Sequence, residues 1–180
     1  KLTIPPLAQG IVVFAHGSGS SRHSPRNQHV AEFLQDAGLA TLLFDLLTPE
    51  EEVIDRQTHQ YRFDIALLAE RLIGATDWLR QEPATAKLGI GYFGASTGSA
   101  ATLLAAATYP ELIQAIVSRG GRPDLAGTAL TRIEAPTLLI VGGLDHTVLA
   151  LNRMAIQSIQ ATKRLEIVPR ATHLFEEPGT

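Results

Sequence analysis

The chain has 180 residues, of which 45% are hydrophobic and 18% are charged, and its formal net charge is −3. These values are typical of a globular protein with a substantial core, and we expect a single domain over residues 1–180. The mildly acidic balance argues against nucleic acid or a membrane surface as a partner, since both are bound by clustered Lys and Arg. Cysteine is absent, which excludes thiolate chemistry and is compatible with the cytoplasmic location that we expect.

Buried strands alternate with helices along the whole chain. Strands are predicted at residues 10–15, 39–44, 87–93, 113–117, 137–141 and 164–168, and helices at residues 25–37, 63–80, 97–109 and 146–161. Residues 45–55 are predicted to form an acidic, solvated loop. Residues 1–6 resemble the tail of a strand and residues 175–180 the approach to a helix, as in a chain trimmed at both ends. The alternation predicts an α/β fold, a doubly wound and mostly parallel sheet with helices on both faces.

Residues 94–98 form a Gly-Ala-Ser-Thr-Gly segment between a predicted strand and a predicted helix. Such a segment is typical of a nucleophile elbow, in which a strained turn lifts the hydroxyl of one serine, here Ser96, above the sheet. Gly94 and Gly98 would leave room for the close approach of strand and helix. The pattern alone is weak, and a plain packing corner is the alternative, but its strand-to-helix context favours the elbow.

Two further polar residues follow strands at the same predicted edge of the sheet. Asp145 comes just after the strand at residues 137–141, and His173 follows the strand at residues 164–168. A serine hydroxyl needs a base to take its proton, and that base needs an acid to hold its tautomer. The chain order serine, acid, histidine is that of the α/β-hydrolase fold. Asp145 could also cap the next helix, and His146 is a rival base that we place second.

The chain resembles the dienelactone-hydrolase-like group of α/β-hydrolases over nearly all of its length. The segments that carry the resemblance are residues 16–19 (His-Gly-Ser-Gly), 94–98 (Gly-Ala-Ser-Thr-Gly), 142–145 (Gly-Gly-Leu-Asp) and 172–175 (Thr-His-Leu-Phe). The resemblance implies Ser96 as nucleophile, His173 as general acid and base, and Asp145 as the orienting carboxylate. It also implies an oxyanion hole made by the backbone N–H groups of Ser18 and Thr97. Dienelactone hydrolases proper use a cysteine nucleophile, so this chain departs from them at Ser96.

Arginines could select the substrate at this edge. Arg22, Arg119 and Arg122 follow strands or the loop at residues 16–21, as does Arg26, and a guanidinium suits a carboxylate or phosphate. The alternative is that they pair with Asp45, Asp124 or the acidic residues 50–52 and only brace loops. His16 is expected to shape its loop by hydrogen bonding. The histidines at positions 23, 29 and 59 are expected on the surface, and no metal site is expected.

The sequence therefore predicts a serine hydrolase that cleaves a small carboxylic ester or thioester through an acyl-enzyme, with no cofactor. Only about 20 residues separate the strands at 113–117 and 137–141, which predicts an open site without a large lid. Dinucleotide binding is a rival, because Gly17 and Gly19 follow a strand and Asp45 follows the next one. A catalytically silent hydrolase fold that serves as a binding module is a third possibility.

Overall fold

The computed structural model describes residues 1–179, which form one seven-stranded sheet flanked by helices. The strands are β1 (Leu2–Thr3), β2 (Gly10–Ala15), β3 (Leu39–Leu43), β4 (Gly89–Ala95), β5 (Ile113–Arg119), β6 (Thr137–Gly142) and β7 (Lys163–Val168). Their order across the sheet is β1-β3-β2-β4-β5-β6-β7. β1 pairs antiparallel with β3, and every other pairing is parallel. The doubly wound, mostly parallel α/β fold predicted from the sequence is confirmed.

The helices are α1 (Pro25–Asp36), α2 (Pro49–Thr58), α3 (Ile65–Gln81), α4 (Thr97–Thr108) and α5 (His146–Ala155), and a kinked 3₁₀ segment spans Pro123–Arg132. None of the helices in residues 1–179 has both the length and the apolar character needed to cross a membrane.

The central strands are buried on both faces, because successive side chains of β2 enter different parts of the core. Val13 packs with α3 and α4, whereas Phe14 packs with Phe93 and with Ala31 of α1. Strands that are covered on both faces have continuous apolar sequences, which is why these strands could be recognised from the sequence. Since the strands are parallel, their carboxyl ends share one edge, where ligands of open α/β sheets bind.

The prediction of a loop at residues 45–55 is wrong, because α2 begins at Pro49. The Thr48 side chain accepts a hydrogen bond from the backbone N–H of Glu51, and the Glu51 carboxylate accepts one from the backbone N–H of Thr48. This capping box and the acidic side chains of the first turn stabilise the start of the helix. The same acidic residues had suggested a solvated loop. The helix predicted to continue to residue 161 ends at Ala155.

Candidate active site

Ser96 lies alone between β4 and α4, in a strained turn. Its φ is +51° and its ψ is −122°, a combination that residues with a Cβ rarely adopt. A Cβ on Gly94 would lie 2.5 Å from the Cα of Ser99, and one on Gly98 would lie 2.2 Å from the carbonyl oxygen of Ala15. Both glycines are therefore required by the close contact of strand, helix and neighbouring loop.

Hydrogen bonds from neighbouring loops hold the backbone of Ser96 in this conformation. Its N–H donates to the carbonyl oxygen of Arg119 at 3.3 Å, and its carbonyl oxygen accepts from the N–H of Arg122 at 3.1 Å. The same carbonyl accepts from the N–H of Ser99 at 3.1 Å. The end of β5 and the loop after it thus fix the turn from one side, which supports a side chain placed for chemistry.

Asp145 joins the end of β6 to His173, which lies in the loop after β7. The Asp145 Oδ2 atom is 2.6 Å from the His173 Nδ1 atom, while Oδ1 accepts the N–H of Val148 at 3.4 Å and caps α5. One carboxylate therefore contacts His173 and also caps α5. With Nδ1 bonded to the carboxylate, Nε2 is the ring nitrogen left to exchange a proton. His146, the rival base, is the first residue of α5.

Two glycines let the His173 loop lie against the sheet. A Cβ on Gly142 would be 2.4 Å from the carbonyl oxygen of Ala171. Gly120 has a φ of +53°, and a Cβ there would be 3.1 Å from the carbonyl oxygen of His173. A side chain at either position would press on the loop that carries His173, so both glycines help to place it.

Ser96 and His173 line one cavity of about 270 Å³ at the carboxyl edge of the sheet. The structure therefore brings together the three residues that the sequence proposed as a triad, with Asp145 held behind His173. The other residues that line the cavity are Gly17, Ser18, Ser20, Ser24, Arg26, Asn27, Ala95, Arg119 and Leu174. Asn27 did not emerge from the sequence analysis. The pair Ser24-Pro25 indicates the start of a helix at this edge of the sheet. Residue 27 then lies in the first turn, which is the pattern in the sequence that indicates it.

The two N–H groups suggested as oxyanion donors belong to residues in direct contact. Thr97 is the first residue of α4, so its N–H precedes the first bond within the helix. The N–H of Ser18, however, donates to the Thr97 Oγ1 atom at 3.0 Å. Gly17 brings this loop against the elbow, since a Cβ there would lie 3.0 Å from the Cβ of Ser96. To bind an oxyanion, the N–H of Ser18 would have to give up its hydrogen bond to the Thr97 hydroxyl.

His16 fixes the loop before this donor pair. Its Nε2 accepts the N–H of Leu46 at 3.0 Å, so Nδ1 carries the proton and donates to the carbonyl oxygen of Gly17 at 2.9 Å. Burial lowers the pKa of His16 below its ordinary value, with opposing contributions from Gly17 and nearby carboxylates. An imidazole that is neutral and hydrogen-bonded at both nitrogens agrees with the role expected from the sequence, which is to shape this loop.

Two of the three arginines suggested as substrate-binding residues are engaged elsewhere. Both the backbone N–H and the guanidinium of Arg22 bond to Asp45, in a separate surface depression. The guanidinium of Arg122 binds Asp124 in two-point fashion, at 2.8 and 2.7 Å. We correct the suggestion for Arg22 and Arg122, because their charges are neutralised by acids close to them in the fold.

Arg119, the third, lines the cavity beside Ser96. Its Nη2 atom donates to the Asn27 Oδ1 atom at 3.1 Å, and its Cζ lies 5.6 Å from the ring centroid of Phe93. Burial, and next the charge of Arg26, lower the pKa of Arg119 to about 10. The group stays positively charged at neutral pH.

Comparisons with known proteins agree with this architecture. The chain is 66% identical to a dienelactone hydrolase from Anabaena variabilis, whose crystal structure it matches with a TM-score of 0.97 over 99% of this chain and 82% of that one. It shares the fold of Est1E from Butyrivibrio proteoclasticus, with a TM-score of 0.80 over 98% of this chain and 86% of that one, at 16% identity.

Two curated relatives from strains of Mycobacterium tuberculosis are 62% identical over 179 residues and are named provisionally as phosphoribosyl transferases. The match covers 99% of this chain but only 40% of each relative, so the chain spans less than half of their length. The profile of the Dienelactone hydrolase family matches residues 2–180. This chain belongs to the dienelactone hydrolase family of α/β-hydrolases.

Proposed function

We propose that the chain is a serine esterase that hydrolyses a small carboxylic ester, or a thioester, through an acyl-enzyme. The observation that carries the proposal is the 2.6 Å contact between His173 and Asp145, in a chain where His173 and the strained Ser96 line the same cavity. Membership of a hydrolase family supports the same reaction class. Acyl transfer requires a nucleophile, a base and an orienting acid, and we assign these roles to Ser96, His173 and Asp145.

In the first half of the reaction, the Ser96 hydroxyl attacks the ester carbonyl while His173 Nε2 takes its proton. Asp145 keeps the Nδ1 proton in place and stabilises the imidazolium that forms. The N–H groups of Thr97 and Ser18 bind the oxyanion, at the start of α4 where the helix dipole favours negative charge. His173 then returns the proton to the departing alcohol or thiol, which leaves an acyl group on Ser96.

In the second half, water replaces the alcohol. His173 takes a proton from the water, which attacks the acyl carbonyl, and a second oxyanion forms at the same donors. Collapse of this intermediate returns the proton to Ser96 and releases the carboxylic acid. Each step uses side chains or backbone groups of this chain together with water.

The rival interpretations have less support. The Asp45 carboxylate, which a dinucleotide-binding protein would offer to a ribose, is bonded to Arg22. The phosphoribosyl transferase name of the curated relatives describes proteins of which this chain spans 40%. We do not propose that activity for this chain, since residues 2–180 match a hydrolase family.

The test is steady-state hydrolysis of 4-nitrophenyl acetate by the wild type and by Ser96→Ala, His173→Ala and, as a control, Ser158→Ala after α5. We expect kcat/KM to fall by about 10³-fold or more in the first two variants and to stay unchanged in the control. If folded wild type shows no more hydrolysis than Ser96→Ala, the esterase proposal fails and a binding module becomes the better account.

A further inference from the structure

Two guanidinium groups line the candidate active site, and the proposed hydrolysis uses neither of them. Arg119 ends β5, next to the elbow, and Arg26 lies in the first turn of α1. Both line the cavity that contains Ser96 and His173. They are close enough for the charge of Arg26 to lower the pKa of Arg119. Like charges this close are unfavourable, so an anion between them would be stabilised.

Arg119 is partly buried, and no carboxylate within residues 1–179 lies within ion-pair distance of it. Its partners are neutral: Asn27 accepts a hydrogen bond from one of its five N–H donors, and its Cζ atom lies over the ring of Phe93, 5.6 Å from the centroid. These contacts fix the guanidinium and leave its charge uncompensated. A fixed, partly desolvated guanidinium is preorganised to bind an oxyanion in two-point fashion.

Arg26 has a partner that can be exchanged. Its Nη1 atom is 2.6 Å from the Glu176 Oε1 atom, and 61% of the Glu176 side chain is exposed to solvent. Exposed pairs of this kind contribute little stability, so an anion entering the cavity can replace Glu176 at small cost. The cavity then presents two positive groups to a ligand.

The polar groups around these cations suit an acceptor with several oxygen atoms. Ser20 and Ser24, which carry hydroxyl groups, line the same cavity as Arg26 and Asn27. A carboxylate has a single negative charge, which Arg119 alone can balance. A phosphate monoester carries about −1.5 to −2 at pH 7 and three acceptor oxygens, which matches two guanidinium groups better.

We infer that the ester substrate carries a phosphate monoester, which binds between Arg119 and Arg26 while the ester carbonyl lies at Ser96. The inference rests on the proposed esterase function, to which it adds a substrate class. Arg119 is the main determinant of specificity, and Arg26 contributes once Glu176 has left it. Only the carboxylic ester bond is broken, and the phosphate is retained in a product.

The test compares carboxylic esters that differ in one group. In one series the acyl chain ends in methyl, carboxylate or phosphate, and in a second series the alcohol carries these groups. Acid release is followed by pH-stat for the wild type, Arg119→Gln, Arg119→Lys, Arg26→Gln and the control Arg22→Gln. Arg22 is a matched control, because its guanidinium pairs with Asp45 outside this cavity.

In one of the two series, we expect kcat/KM for the phosphorylated ester to exceed that for the neutral ester by about 30-fold or more. Arg119→Gln should remove most of this preference and Arg26→Gln part of it, whereas the control Arg22→Gln should leave both the preference and the hydrolysis of the neutral ester unchanged. Arg119→Lys should restore only a fraction, since a lysine lacks the planar fork. Equal rates within both series, or a preference for the carboxylated ester, would overturn the inference.

Binding provides a readout that is independent of turnover. Calorimetric titration of Ser96→Ala with the preferred phosphorylated ester should show binding that Arg119→Gln in the same background weakens by about 10-fold or more. Unchanged affinity would also count against the phosphate site. If the wild type hydrolyses neutral esters but these tests fail, only the phosphate inference is lost. If it hydrolyses no ester at all, the esterase proposal is lost as well.

Discussion

The Nδ1 atom of His173 lies 2.6 Å from the Oδ2 atom of Asp145, although 28 residues separate them in the chain. Each follows its own strand, and β6 and β7 are parallel neighbours, so the two loops leave the sheet at the same edge. The contact therefore follows from the topology of the sheet. The contact of Asp145 with His173 can be tested separately from its capping of α5, because the two use different oxygen atoms of the carboxylate.

We predict that Asp145→Asn lowers kcat for ester hydrolysis by about 10³-fold or more, because the amide no longer favours the tautomer with a proton on Nδ1. The asparagine keeps an oxygen that can accept the N–H of Val148, so the cap of α5 should persist. Thermal unfolding should consequently change little. A melting temperature so low that unfolding accounts for the lost activity would instead indicate a purely structural role for Asp145.

The strained backbone of Ser96 should cost stability. With φ at +51°, Ser96→Gly relieves a conformation that Ser96→Ala retains. We expect the glycine variant to be more stable than the alanine variant by about 1 kcal/mol in urea unfolding, although both are inactive. Equal unfolding free energies would show that the turn stores no strain.

The close approach of α4 to the loop after β2 should make Gly98 intolerant of a side chain. In Gly98→Ala the new Cβ would meet the carbonyl oxygens of Ala15 and His16 at 2.2 and 2.5 Å, so backbone must move. We expect a loss of about 3 kcal/mol or more in unfolding free energy. Gly74→Ala in α3 is the control, since its Cβ meets nothing within 4 Å and should raise stability by up to about 1 kcal/mol.

The buried His16 should make stability depend on pH in a defined direction. Its pKa in the folded chain is lowered from the ordinary value of 6.5, so below that pH the unfolded chain binds a proton that the folded chain does not. The free energy of unfolding should therefore fall with decreasing pH, starting near 6.5, with a slope of up to about 1.4 kcal/mol per pH unit from this residue.

Urea unfolding of the wild type and His16→Gln between pH 7.5 and 5.0 measures this contribution. Acidic side chains titrate in both proteins, so the difference between the two curves isolates His16. That difference should shrink as the pH falls. A constant difference across the range would mean that His16 has the same pKa in both states.

Much of the fold could be predicted because its strands are buried on both faces. The strand predicted at residues 10–15 matches β2, and the one at residues 137–141 is a residue short of β6. α2 was missed because Glu50, Glu51 and Glu52 suggested a solvated face, although the helix is stabilised at its cap. Asp55 is the last residue of the loop predicted at residues 45–55. In the structure it is buried and pairs with Arg62 at 2.6 Å. Such a contact depends on tertiary structure.

The candidate triad could be predicted from chain order and strand ends, but the functions of the arginines could not. Arg22, Arg119 and Arg122 all follow elements that lead to the same edge of the sheet. They differ in the hydrogen-bond partner of the guanidinium, which is Asp45 for Arg22, Asp124 for Arg122 and the neutral amide of Asn27 for Arg119. Asp45 and Asp124 could be considered as partners from the sequence, and Asp124 is only two residues from Arg122, whereas no spacing indicates that Asn27 lies next to Arg119.

Covalent labelling of Ser96 tests the central claim most directly. The folded wild type is incubated with a fluorophosphonate probe, digested and analysed by mass spectrometry, with Ser96→Ala and His173→Ala alongside. We predict one adduct on the peptide that contains Ser96 in the wild type, none in Ser96→Ala, and strongly slowed labelling in His173→Ala. An unlabelled wild type, or an adduct on a different serine, would contradict the assignment of Ser96 as nucleophile.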